Sequence, residues 1–99
     1  MPKAYWIGHV TVNDPALYED YRKANAAAFK AYGGRFLVRC GAQEVVEGRL
    51  RPRAVVVEFP DIDAARACYA SAEYRAAMES RLPAAIADLC IVEGWDPEA

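Results

Sequence analysis

The sequence holds one histidine and three widely spaced cysteines, with no Cys-x-x-Cys pair and no Cys/His cluster. A metal site built within one subunit from imidazole and thiolate ligands is therefore excluded, since such sites need several of these side chains at fixed spacing. Also missing are a glycine-rich phosphate loop, a Gly-x-Ser-x-Gly nucleophile elbow and a His-Glu-x-x-His pair. No apolar run approaches the ~20 residues that span a bilayer. The opening MPKAYWIGHV carries one lysine before a short apolar stretch, and no small-residue cleavage site follows. A cytoplasmic location is the default, with no membrane as partner. Charge of one sign is lacking too: the net charge is −2 and the basic residues are scattered, apart from Arg49, Arg51 and Arg53, so no basic field favours nucleic acid. Cys40, Cys68 and Cys90 each sit in an apolar setting and read as buried free thiols.

What is present is apolar. A 55% hydrophobic composition in 99 residues describes one folded domain, residues 1–99, that cannot bury all its apolar surface alone. A homo-oligomer is the natural way to cover the remainder.

The chain is organised around the stretch from Gly33 to Pro60. It reads as strand two from Arg35 to Cys40, a bulge at Gly41, extended chain again at Glu44–Glu47, and strand three from Ala54 to Phe59. Strand one is Ala4–Val12, rich in aromatic and β-branched residues. Asn13-Asp14-Pro15 then caps a helix that carries Leu17, Tyr18, Tyr21, Ala24, Asn25, Ala28 and Tyr32 on one face and ends at Gly33-Gly34. Pro60-Asp61 starts a second helix with Ile62, Ala65, Cys68 and Tyr69 inward. Ser71 starts a third, with Tyr74, Ala77, Met78 and Leu82 inward and an interruption at Pro83. Leu89–Trp95 is the last strand, followed by a loose tail over 95–99.

Strand, helix, strand, strand, helix, strand is the order of an α+β, ferredoxin-like βαββαβ domain with a four-stranded antiparallel sheet. Right-handed crossovers set the spatial order four, one, three, two. Helices cover one face, and the bare face pairs with that of a second copy as a homodimer.

Side-chain alternation separates the faces of each strand. Trp6, Gly8, Val10 and Val12 share an uncharged face, as do Val55, Val57 and Phe59, and as do Cys90, Val92 and Gly94. These faces belong under the helices. On the mixed side, His9 is expected between Glu58 and Glu93, with Arg39 nearby. That row serves either as a satisfied polar network between subunits or as a site in which His9 is a general base or clamps an acidic ligand. Tyr18, Tyr21 and Tyr32 form a phenol stripe, read either as core or as the wall of a pocket that orients a small aromatic or carbonyl compound. Trp6 and Trp95 are open to the same two readings. The Arg49, Arg51 and Arg53 run is a solvated hairpin edge or an anion site.

Several stretches together, YWIGHVTVNDPALYEDY, GGRFLVRCG, RPRAVVVEFPDIDAARACYASAEYRAA and IVEGW, resemble the bacterial proteins grouped as domain of unknown function 1330, within the dimeric α/β-barrel superfamily. The resemblance covers nearly the whole chain. It implies a dimer whose two sheets form one barrel. Relatives in that superfamily include cofactor-independent monooxygenases, haem-dependent enzymes, muconolactone isomerases and ligand-sensing domains, and they share no motif from which catalytic residues carry over. The expected function is binding of a small aromatic or carboxylated molecule without a permanent cofactor or metal. One alternative is a cofactor-independent monooxygenase or isomerase using His9, with Tyr21 or Arg39 positioning the substrate. The other is a structural or interaction dimer with no small ligand.

Overall fold

A computed structural model of the chain describes residues 2–97. Its elements are β1 (Ala4–Val12), α1 (Pro15–Ala31), β2 (Arg35–Arg39), β3 (Arg53–Phe59), α2 (Ile62–Ala70), α3 (Ala72–Ala84) and β4 (Ala85–Glu93). The strands lie in the order β2-β3-β1-β4, every neighbouring pair antiparallel. This is the ferredoxin-like α+β fold expected from the strand and helix pattern.

Local chemistry sets the helix starts. The Asp14 carboxylate accepts from the Leu17 amide at 3.1 Å, that of Asp61 from Ala64 at 2.7 Å, and the Ser71 hydroxyl from Tyr74 at 3.1 Å. Each satisfies one of the amides a helix leaves unpaired at its first turn. Gly33 follows α1 with φ +76°, the left-handed conformation glycine adopts without penalty. Of the tail expected to be loose, residues 98 and 99 lie outside the described residues.

The helix-covered face of the sheet carries Ala4, Trp6 and Val10 from β1 with Val57 and Phe59 from β3, all buried. Trp6 is the hub. Its indole donates to the Ala65 carbonyl at 3.0 Å and meets Phe29 and Tyr74 edge-on, with ring centroids 5.0 and 4.8 Å away.

Four sequence expectations are corrected. First, β4 begins at Ala85 rather than Leu89, and its covered side is Ala87, Leu89 and Ile91; Cys90 and Val92 face outward. The window from Leu89 omitted Asp88, the charged residue that marks the Cys90 side as the mixed one. Second, the β2 irregularity falls between Phe36 and Val38, not at Gly41, and it turns Arg39 to the covered face opposite Val55. No strand forms at 44–47, and Val46 is largely exposed. Third, α3 runs through Pro83 to Ala84, and its inward stripe takes Arg81 where Leu82 was expected; Leu82 is exposed. A proline in the last turn removes one amide bond while tertiary packing holds the rest. Fourth, Cys68 alone of the three thiols is buried; Cys40 is half-buried and Cys90 exposed.

Candidate functional site

On α1 the spacing of Tyr18, Tyr21, Arg22 and Asn25 places all four on one helical face. On α3, Tyr74 and Arg81 are two turns apart on the stripe facing them. These side chains meet above Trp6, Gly8, Val10, Val55 and Val57 of the sheet and leave a cavity of about 40 Å³. That is room for a water or the polar head of a larger molecule. Along its walls the Tyr21 and Tyr74 hydroxyls lie 2.7 Å apart, both buried.

Two buried polar atoms of the lining residues have no partner: Nε of Arg81 and Oδ1 of Asn25. Both residues are buried, with 8% and 5% of their surface exposed. No carboxylate among the described residues pairs with Arg81, whose guanidinium carbon lies 5.9 Å from the Tyr21 ring centre. A buried cation without a counter-charge is costly, so its retention calls for an explanation.

Burial, reinforced by the neighbouring Tyr74, raises the Tyr21 phenol well above its ordinary range. Tyr74 is raised by burial too, against the opposing Tyr21 hydrogen bond and Arg81 charge. The Arg81 charge beside Tyr74 favours Tyr21 as donor and Tyr74 as acceptor. Tyr18 is pushed up to about 12 by burial and then by Tyr21. All three phenols are protonated at neutral pH and offer hydroxyl groups rather than negative charge.

The residues lining the cavity extend towards both edges of the sheet. Towards β2, Arg22, Arg39 and Cys40 form the rim; Arg39 stacks on Phe36 at 4.5 Å and donates to the Arg22 carbonyl at 3.4 Å. Towards β4, the cavity shares Arg81, Ala87 and Leu89 with an open cleft of about 460 Å³, completed by Tyr69 and Ile91.

The other sheet face disperses the predicted row. Glu58 accepts from Arg35 Nε at 2.9 Å, Lys3 Nζ at 3.2 Å and Tyr5 Oη at 3.3 Å. Desolvation would raise its pKa, but the hydrogen bonds and charges of Arg35 and Lys3 outweigh this and hold it below the ordinary 4.5. His9 lies four residues along β1 from Tyr5, the cross-strand neighbour of Glu58, a span of roughly 13 Å at the usual strand rise. Glu93 pairs with Ala4 and belongs to the opposite face; the carboxylate beside His9 is Asp88. Around them is a groove of about 420 Å³ lined by His9, Thr11, Arg49, Leu50, Arg51, Pro52 and Asp88. Arg51 ties it together, donating to Asp88 at 2.8 Å and Thr11 at 3.2 Å.

Of the predicted site residues, Tyr18, Tyr21 and Arg39 thus share the covered-face cavity, and Glu58 and His9 share the open face without meeting. Tyr32 caps the end of α1, and Trp95 is exposed. Of the 49–53 run, Arg49 and Arg51 line the open-face groove, and Arg53 lies on the covered face 5.6 Å from the Tyr18 ring centre. Sequence reasoning missed Tyr74 as a site member, Asn25 as more than core, Asp88 and Arg81. The signal for Arg81 was available: it continues the stripe of Tyr74 and Ala77, where a charge is out of place.

Among the described residues no cluster of three His, Cys, Asp or Glu could hold a metal ion, and no helix is long and apolar enough to cross a membrane.

A comparison with curated proteins gives no match. Among solved structures, a protein of unknown function from Rhodopseudomonas palustris superposes with a TM-score of 0.73 at 17% identity, covering 97% of this chain and 85% of that one. SnoaB, a cofactor-independent oxygenase from Streptomyces nogalater, gives 0.65 at 17% identity, with 97% and 96% covered. A dimeric ferredoxin-like protein of unknown function from Thermobifida fusca gives 0.58 at 21% identity, with 90% of each covered. Identities this low establish a shared fold. The family model described as Domain of unknown function (DUF1330) matches residues 3–95, which span all four strands, and by that match the chain belongs to the DUF1330 family.

Proposed function

We propose that this single-domain protein is a homodimer that binds a small aromatic or carboxylated molecule between its helices and sheet, without a permanent cofactor. One observation carries the reading: the fold encloses an aromatic-walled cavity beside buried polar groups that lack protein partners. Mostly apolar hollows with a few convergent polar groups are where small ligands bind; this one has room for a polar head group, and the cleft of about 460 Å³ that shares its Arg81, Ala87 and Leu89 has room for a larger body. The dimer forms through the open sheet face, where Ile86 and Val92 are exposed, and the dimeric description of the Thermobifida fusca relative supports it.

Trp6 lines the cavity and reports on it. In a Trp95→Phe background, which removes the exposed indole, titration with small aromatic acids and phenols gives a saturable change in Trp6 emission. No saturable change with any of them would leave the structural or interaction dimer as the better reading.

A cofactor-independent enzyme is the second reading, supported by the likeness to SnoaB and by the separate groove in which His9 sits beside Asp88. His9 would then act as general base towards a molecule on the open face. Tyr21 and Arg39 lie across the sheet and contact a different region, so they do not position that molecule. His9→Ala that abolishes turnover while leaving Trp6 titrations unchanged supports this reading; loss of the dimer alone assigns His9 to the interface.

A further inference from the structure

We infer that the cavity ligand is a hydroxylated carboxylate, its acid group seated on Arg81, its hydroxyl turned to Asn25, and its apolar body lying in the cleft beside β4. This rests on the binding proposed above and narrows it to one chemical class and one direction of approach.

Charge is the first support. Arg81 is buried and carries an N–H without an acceptor, while no carboxylate among the described residues compensates it. A buried guanidinium that has the Tyr74 hydroxyl beside it but no counter-charge is stabilised best by an anionic oxygen, and a planar carboxylate matches its fork of donors. Hydrogen-bond polarity is the second. Asn25 leaves an acceptor, Oδ1, unfilled, and its amide group lies beside Tyr21, whose ring Arg81 faces. A ligand satisfying both residues must accept at Arg81 and donate at Asn25. A carboxylate bearing a hydroxyl does both; a simple carboxylate does only the first.

Space supplies the third support. The inner cavity of about 40 Å³ takes a head group and no ring. The cleft of about 460 Å³ on the other side of Arg81 lies within the range of small-ligand sites, and its walls are Tyr69, Ala87, Leu89 and Ile91. An apolar body therefore fits outside while its polar end reaches inward. The rival occupant is water, which can fill the inner cavity and bridge both orphan atoms.

The test uses the full chain with Trp95→Phe and four probes of similar shape: 3-hydroxybenzoate, benzoate, 3-hydroxybenzamide and benzamide. Expected is the affinity order hydroxybenzoate, benzoate, then the two amides, with the acids about tenfold to a hundredfold tighter than their amides, as a hydrogen bond to a charged group implies. Arg81→Met, close in volume, removes the preference for acids over amides. Asn25→Leu removes the preference for the hydroxyl alone. Ile91→Glu places a carboxylate in the cleft and weakens the acids selectively. Circular dichroism confirms folding of each variant. Should Arg81→Met fail to fold, the acid-to-amide ratio in the parent protein still decides. Acids and amides binding equally would overturn the carboxylate assignment while keeping the cavity as a ligand site. Binding by none of the four would overturn both, in favour of a water-filled cavity. Ile91→Glu without effect on acid binding would overturn the cleft as the seat of the apolar body.

Discussion

The two faces of this sheet treat charge in opposite ways. On the open face, Glu58 is ringed by Arg35, Lys3 and Tyr5, and Asp88 is held by Arg51, so each of these carboxylates has a cation within 3.2 Å. On the covered face, Arg81 is more deeply buried than any of those cations and has no carboxylate. Paired charge on a surface that meets another subunit is what stable association requires whatever the function, whereas an uncompensated buried charge lowers stability and persists where it is used. The difference supports the proposal that the open face serves assembly and the covered face a ligand.

The largest way to break the contrast is to remove the hub of the covered face. Trp6→Ala deletes a buried indole that contacts four other rings and should cost about 3–5 kcal/mol in urea unfolding. A loss below about 1 kcal/mol would mean that the covered core is not organised as described.

Next in size is an assault on the open face. Ile86→Arg should weaken the dimer by about a hundredfold or more in sedimentation, since it buries an unpaired charge at the interface. It should also render Cys90, on the same face, fully reactive towards thiol reagents. Cys68, buried and with its thiol pushed up to about 12 by burial and then by Glu73, stays unreactive in both forms. A variant that remains dimeric would move the interface elsewhere.

The smallest effect concerns Glu58. Its folded pKa lies below the ordinary 4.5, so its contribution to stability is complete above that value and is lost as pH falls through the folded pKa. The stability gap between the parent protein and Glu58→Gln should therefore shrink on acidification below about pH 4.5. Its partners are largely exposed, which keeps the gap small. A gap independent of pH would show that the ion pairs contribute nothing.

Much of this was legible in the sequence because it is written locally. Asp14-Pro15, Asp61, Ser71 and Gly33 act within one helical turn, and alternation in β1 and β3 is long enough to identify the covered side. What escaped depends on pairing between distant segments. The β2 bulge reverses Arg39 without a glycine or proline to announce it. The face of β4 hinges on where the strand begins, and the helix running through Pro83 into Ala84 moved that start upstream. Arg81 and Leu82 are adjacent on α3, and only the packing of α3 against α1 decides which points inward. The strand order survived these errors because it follows from element order; the site did not, because it follows from side-chain direction.

The measurement that tests the division between the faces most directly is a nuclear magnetic resonance titration with 3-hydroxybenzoate, following the Arg81 Nε–H, the Trp6 indole N–H and the His9 ring together. Saturable shifts of Arg81 and Trp6 with His9 unmoved are the predicted result. Shifts confined to His9 and the neighbouring Arg51 would contradict the account and place the ligand on the open face.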